Sequence, residues 1–247
     1  MEEYGEEEEQ TYQVKEEENE EGEEYLERNS VTSYKKMSKF SKRNRRKKRQ
    51  LLPTPPTDVN KMTIVLDLDE TLIHSSFDSN GKVKSSFTFN VEIDGKDREV
   101  NVWARPYLMD FLRCVHDIFE VVVFTASLKK YADPLLDHLD PKRELIQHRL
   151  FRDSCTLSDG FYKKDISLLG RSLSKIIIVD NSPLCYDLQP ENAVAIPSFI
   201  DDPNDDHLLK LIPWLIKVSE EGDVYDILTH IRVYSVLPQN CFQNVIM

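Results

Sequence analysis

"IVLDLDETLIHSS", residues 64–76, poses the question on which the fold turns. Ile64, Val65 and Leu66 read as a buried strand. The run then leads straight into Asp67, Leu68, Asp69 and Glu70 before turning apolar again at Leu72 and Ile73. An unpaired carboxylate is costly to bury, and ions at such positions are normally paired or bound to metal. Three carboxylates crowded at a strand end therefore predict a cation.

Working outward, the 247-residue chain has apolar material for one sizeable core, with 40% hydrophobic residues. Its net charge of −12 is distributed unevenly. Residues 1–27 hold fourteen Glu and one Lys, whereas residues 28–49 hold eleven Lys or Arg and no acid. Blocks of like charge with few large apolar residues bury too little surface to offset the entropy of ordering. Residues 1–57 are accordingly expected to be a disordered tail, acidic and then basic, closed by the proline-rich linker "LLPTPPT" (51–57). "KRNRRKKR" (42–49) carries seven positive charges in eight residues and matches a nuclear-localisation cluster. A solvated basic tail or a contact with RNA or DNA are the alternatives; import is preferred, and no nucleic-acid partner is expected.

Cys114, Cys155, Cys185 and Cys241 form no CxxC pair and no metal-ligand spacing with histidine, which predicts reduced intracellular thiols. No apolar run reaches bilayer length, and the acidic N-terminus is the opposite of a signal peptide. A soluble nuclear protein is the resulting expectation, with some cytoplasmic presence, no membrane partner and a monomeric state.

From about residue 58 to 235 the pattern is globular, leaving 236–247 as a C-terminal extension. Apolar runs at 62–67, 120–124 and 175–180 alternate with helical stretches at 106–118, 128–139 and 205–220. Short runs buried on both faces and alternating with helices predict a parallel α/β sheet. "SSFTFNVEIDGKDREVNVWA" alternates apolar and polar residues on both sides of Asp94-Gly95, which predicts an antiparallel hairpin inserted after the first strand. The three core strands close in Asp67, in Thr125-Ala126-Ser127 and in Asp180-Asn181-Ser182. Open α/β sheets bind ligands just beyond the carboxyl ends of their strands. Oxygen-rich groups meeting there suit Mg²⁺, which takes few protein carboxylates and completes its octahedron with water and phosphate.

"DLDET", "FTAS", "YKKD" and "VDNSP" follow one another in the order of the four motifs of the haloacid dehalogenase superfamily. More narrowly, "LDLDETLIHSSF", "FTASLKKYADPLLD", "RLFRDSC", "LGRSLSKIIIVDNSP" and "DPNDDHLLKLIPWL" resemble its small C-terminal-domain phosphatases of the FCP/SCP type, over roughly 62–232. The resemblance implies a Rossmann-like haloacid dehalogenase fold and a Mg²⁺-dependent protein serine/threonine phosphatase. Asp67 would be the nucleophile, forming an aspartyl-phosphate and splitting one hard hydrolysis into two easier steps. Asp69 would protonate the leaving alkoxide and then deprotonate water, its backbone carbonyl ligating metal. Thr125 would donate a hydrogen bond to a phosphoryl oxygen, and Lys164, selected over Lys163 by the family spacing, would meet its charge. Asn181 would ligate Mg²⁺ together with Asp67, with Asp180 either a further ligand or a group behind it. Arg152 resembles an arginine near the phosphate.

The same resemblance matches Phe77, Val91, Ile93, Val100 and Leu128 to a pocket accepting a proline beside the target phosphoserine. From the residues alone they read as one face of a sheet. The implied partner is a phosphoprotein rich in Ser-Pro, such as the RNA polymerase II C-terminal domain. Two other readings retain part of the pattern: the same chemistry on a small phosphate ester, and a non-catalytic phosphopeptide-binding module. A hairpin in place of a large closing cap favours a macromolecular chain, and the intact Asp67, Asp69 and Lys164 weigh against an inactive module. His74 is expected to pack or to start a helix, and Cys185 is not expected to act as a nucleophile.

Overall fold

A computed structural model describes residues 50–54, 61–78, 83–93 and 95–225. In chain order the strands are β1 (Met62–Leu66), β2 (Ile73–Ser76), β3 (Phe87–Ile93), β4 (Lys96–Ala104), β5 (Phe119–Phe124), β6 (His148–Leu150), β7 (Thr156–Ser158), β8 (Phe161–Lys163), β9 (Ile176–Asp180) and β10 (Ala193–Ala195). Helix α1 (Leu108–Ile118) lies between β4 and β5, α2 (Lys129–Leu139) follows β5, and α3 (His207–Glu221) follows β10. The three core strands and three helices expected from sequence all form, with ends shifted by one or two residues.

β1 is central in a five-stranded sheet ordered β10-β9-β1-β5-β6, in which every pairing is parallel. Alternate residues leave opposite faces of each strand. Ile64, Leu66, Val121, Val123, Ile177 and Val179 join the larger core cluster, with apolar residues of all three helices. Val65, Val122, Phe124, Ile176 and Ile178 face a second, smaller cluster. Burial on both faces explains why these strands read as unbroken apolar runs.

The insertion is a three-stranded antiparallel sheet ordered β2-β4-β3, one strand larger than the predicted hairpin. Ile93 pairs with Lys96, and Gly95 in the turn takes φ 72°, a left-handed value that glycine adopts at no steric cost. Phe89, Val91, Val100 and Val102 carry the inward half of the alternation into the larger cluster.

Part of the expected linker is structural. Leu52 is buried in the second cluster, the Leu51 N–H donates to the Leu168 carbonyl at 2.8 Å, and Arg171 Nη1 donates to the Pro53 carbonyl at 2.9 Å. Leu51 and Leu52 pack with Ile166 and Leu169 on the second face of the sheet, which moves the boundary ahead of residue 58. The acidic and basic segments, the cluster 42–49 and the extension 236–247 lie outside the described residues. Cys114, Cys155 and Cys185 carry free thiols. No helix among the described residues is long and apolar enough to cross a membrane.

Candidate active site

The site is built where β1 ends. Asp67 continues the parallel pairing, its N–H donating to the Val179 carbonyl at 3.0 Å. Leu66 and Leu68 are buried in the larger cluster, so Asp67 and Asp69 emerge on the opposite side. The chain then turns sharply. Thr71, Leu72 and Ile73 N–H groups all converge on the Leu68 carbonyl, and Glu70 takes φ 59°. Leu68 and Leu72, both fully buried, pin this turn to the core, and the left-handed Glu70 is the backbone strain they hold in place.

Lys164 follows β8, and its N–H donates to the Cys185 carbonyl at 2.7 Å. Its fully buried ammonium is hydrogen-bonded to Asp67 Oδ1 and, at 2.6 Å, to Asp180 Oδ2. Burial alone would favour the neutral amine, but the Asp67 and Asp180 carboxylates hold it protonated above its usual value. The other Asp180 oxygen accepts the Ser182 N–H at 2.8 Å. Both Asp180 oxygens are thus engaged, and Asp180 stands behind Lys164 rather than facing a ligand of its own. Burial pushes its carboxyl up to about 6, with the Asp67 charge adding to the rise and Lys164 opposing it.

Asp69 accepts three hydroxyl hydrogen bonds: Ser127 Oγ to Oδ2 at 2.7 Å, Thr125 Oγ1 to Oδ2 at 3.2 Å, and Tyr131 Oη to Oδ1 at 2.8 Å. Thr125 itself lies beyond the end of β5 and accepts the Ser127 N–H at 2.9 Å. Burial, reinforced by the Asp67 charge, raises the Asp69 carboxyl above the ordinary range despite these donors. Two neighbouring acids thus sit in different environments, Asp69 buried among hydroxyls and Asp67 paired with lysine.

Asn181 closes the other side, its Oδ1 accepting from Thr71 Oγ1 at 3.3 Å and its Nδ2 donating to Ser198 Oγ at 2.9 Å. The Ser198 loop is fixed by Arg105, 1% exposed, whose guanidinium forms a two-pronged pair with Asp205 at 2.8 Å on each arm. The same guanidinium donates to the carbonyls of Thr71 and Pro197, both at 3.0 Å.

The sequence profile described as "NLI interacting factor-like phosphatase" matches residues 62–225, which span every element above. The chain belongs to that family. The human "CTD small phosphatase-like protein" is 50% identical over 171 residues, 69% of this chain and 61% of the relative. The nematode (Caenorhabditis elegans) "CTD small phosphatase-like protein 1" is 48% identical over 178 residues, 72% of this chain and 35% of the relative. The chain thus spans less than two thirds of either. A solved structure of a variant of fission yeast RNA polymerase II CTD phosphatase Fcp1, bound to beryllium fluoride, is 20% identical with a TM-score of 0.48. It covers 71% of this chain and 55% of that one.

In this NLI interacting factor-like phosphatase, Lys164 pairs with Asp67 and Asp180, while Asp69 and Glu70 add two further acids beside Asp67. Burial raises the carboxyls of Asp69, Glu70 and Asp180, and the charge of neighbouring acids adds to each rise. The donors include no cage of three His, Cys, Asp or Glu side chains among the described residues. Surplus negative charge with only oxygen donors, the Asp67 carboxylate and the Asn181 amide, fits a hard ion that keeps most of its water.

Other expected residues fall differently. Arg152 donates from Nε to the Ala126 carbonyl at 2.6 Å and lies 5.0 Å over the Tyr162 ring, so it is tied to the Thr125 loop. Lys163 turns away, pairing with Asp187 at 2.6 Å and Asp159 at 3.1 Å. His74 lies on β2, bonded to Glu70 at 3.1 Å and packed 5.8 Å from the Trp103 ring, which meets the packing alternative and not the helix start. Burial raises the Cys185 thiol, the wrong direction for a nucleophile. The five pocket candidates do not share one exposed surface. Phe77 and Leu128 are 51% and 44% exposed, whereas Val91 and Val100 are buried in the core, and the Ile93 side chain lies outside the described residues.

Ser127, Tyr131, Ser75, Thr71, Ser198, Arg105 and Asp205 went unassigned in the sequence as site groups. Ser127 alone carried a local signal, a hydroxyl two residues beyond Thr125 in the same strand-end motif.

Proposed function

We propose that this chain is a Mg²⁺-dependent protein serine/threonine phosphatase that works through phosphorylated Asp67 on Ser-Pro phosphopeptides. The observation that carries the reading is the joint placement of Asp67 against the Lys164 ammonium and of Asp69 in its hydroxyl cradle. An Asp67 oxygen attacks phosphorus as the bond to the serine oxygen breaks, and the proton held on Asp69 passes to that oxygen. Asp69 then accepts a proton from water, whose oxygen bonds to phosphorus as the bond from phosphorus to Asp67 breaks, releasing inorganic phosphate and the free Asp67 carboxylate. Lys164 and the Thr125 hydroxyl meet charge on the phosphoryl oxygens, positioning and electrostatics being the main source of rate in such transfers. A Mg²⁺ ion held by Asp67, Asn181 and the Asp69 carbonyl would add a second positive charge to the phosphate.

The substrate class rests on the relatives. One human relative, 47% identical over 175 residues, is named "Carboxy-terminal domain RNA polymerase II polypeptide A small phosphatase 2". Hydrolysis of a phosphopeptide panel with and without Mg²⁺ tests the reading. Turnover of Ser-Pro phosphopeptides only with the ion is expected; equal turnover in a chelator would remove the metal, and none on any peptide would remove the substrate class. Nuclear residence through 42–49 belongs to the same proposal. Deleting the cluster should send the protein to the cytoplasm with turnover intact, and an unchanged distribution in imaged cells would refute it.

A further inference from the structure

The Tyr131 hydroxyl lies 2.8 Å from Asp69 Oδ1 and 2.6 Å from Ser75 Oγ. These three residues come from different parts of the fold. Asp69 follows the central strand, Tyr131 lies on α2, and Ser75 is on β2 of the inserted sheet, paired with Val102. The Tyr131 ring also packs near Phe89 of β3, with centroids 6.0 Å apart, while Phe87 stacks on His138 of the same helix at 5.1 Å. The inserted sheet and α2 are therefore joined by ring contacts and, at one point, by a hydroxyl that ends on the acid.

We infer that Tyr131, braced by Ser75, is a positioning residue that fixes the Asp69 carboxyl for proton transfer to the leaving group. The inference rests on the phosphatase reading above. Ser127 and Thr125 both engage Oδ2, so neither engages the other oxygen. Tyr131 holds the other oxygen and sets the rotamer. Either Ser75 or Tyr131 can donate in the bond between them, so the chain keeps its geometry whether or not Asp69 carries the proton. Tyr131 touches neither phosphate nor metal in this scheme; it acts through Asp69. The inserted sheet, where substrate specificity is expected to reside, thereby gains a direct hold on the acid.

The test uses the full chain with Mg²⁺, a phosphoserine peptide and a series of aryl phosphates whose leaving groups grow steadily more basic. The readout is single-turnover release of the leaving group. An acid matters most when the departing oxygen is basic, so Tyr131→Phe should slow release from phosphoserine about tenfold while nitrophenolate release changes less than about twofold. KM should stay fixed and the dependence on leaving-group basicity should steepen. Added to Asp69→Asn, the same change should cost less than about twofold, since the group it positions is gone. Phenylalanine keeps the ring packing; should that variant fail to fold, Ser75→Ala carries the same expectation at smaller size. A uniform loss across the series, or full additivity with Asp69→Asn, would overturn the inference and leave the phosphatase reading standing. A wild-type chain that releases no leaving group from any ester would overturn both.

Discussion

The parallel strands carry a buried ionic cluster at each end, and the two are opposites. At the amino end, Glu120 of β5 accepts from Arg171 at 2.6 and 2.8 Å, from Thr63 of β1 at 2.9 Å, and is bonded to His148 of β6 at 3.0 Å. Burial would raise this carboxyl, but the hydrogen bonds from His148, Arg171 and Thr63 hold it well below the ordinary range. At the carboxyl end, Asp69, Glu70 and Asp180 all titrate above it. Similar side chains a strand's length apart are thus compensated in one place and left in surplus in the other. A compensated cluster holds segments together; buried carboxyls left without such partners suit the binding of a cation, as in the function proposed above.

Removing one acid from each end should separate these roles most sharply. Asp67→Asn is expected to reduce phosphopeptide turnover to background, and Asp69→Asn to lower it by about 10²–10⁴-fold. Both should unfold in denaturant within about 1 kcal/mol of wild type or above it, since charge surplus at functional sites is commonly held at the expense of stability. Near-normal turnover by Asp67→Asn would end the aspartyl-phosphate mechanism. Glu120→Gln should do the reverse. It leaves Arg171 buried without its carboxylate, a loss of about 3 kcal/mol in chemical denaturation, with kcat on phosphopeptide unchanged. A Glu120 variant as stable as wild type would break the contrast from the other side.

Acidity should read the same contrast in a single protein, in metal-free buffer. The Asp180 carboxyl, raised to about 6 in the folded chain from 3.8, contributes stability that is present at low pH and lost as pH rises through 6. The Asp205 carboxyl runs the other way. Burial opposes it, but hydrogen bonds from Arg105 and His207 hold it at about 2, so its contribution is present above 3.8 and lost as pH falls through 2. Melting temperature should therefore rise from pH 7 to 5 and fall below 4. Asp205→Asn should flatten the acid limb, removing about 2 kcal/mol of pH-dependent stability. A monotonic curve from pH 7 to 3 would contradict the surplus at the carboxyl end.

How much of this was written in local sequence follows from what each group needs as a neighbour. Asp67, Thr125 and Asp180 close runs buried on both faces, so pattern alone put them at adjacent strand ends. Ser75, Tyr131, Arg105 and Asp205 sit 56 or 100 positions from their partners and gave no periodic signal. Arg105 lies just ahead of the helical stretch expected over 106–118 and is the buried clamp between the Thr71 turn and the Ser198 loop. Leu52 read as linker because its partners, Val65 and Ile178, come from distant strands and only tertiary packing brings them to it. The inserted sheet shows the same boundary differently. Alternation is equally satisfied by a pocket wall and by a core, and Val91 and Val100 turned out to be core.

That outcome makes Phe77 the smallest and most discriminating test. It lies one residue beyond β2 and is half exposed, so the recognition it can offer is that of an open aromatic shelf, with Leu128 the other exposed candidate. Phe77→Ala should lower kcat/KM on a Ser-Pro phosphopeptide by about fivefold, the equivalent of about 1 kcal/mol for a partly buried contact. Para-nitrophenyl phosphate carries no residue to reach the shelf, so its hydrolysis should not change. Remote binding energy of this kind affects the extended substrate and spares the minimal one. Equal losses on both substrates would reassign Phe77 to the fold. Equal retention would move peptide recognition elsewhere and leave the inserted sheet acting on the acid alone, through Ser75 and Tyr131.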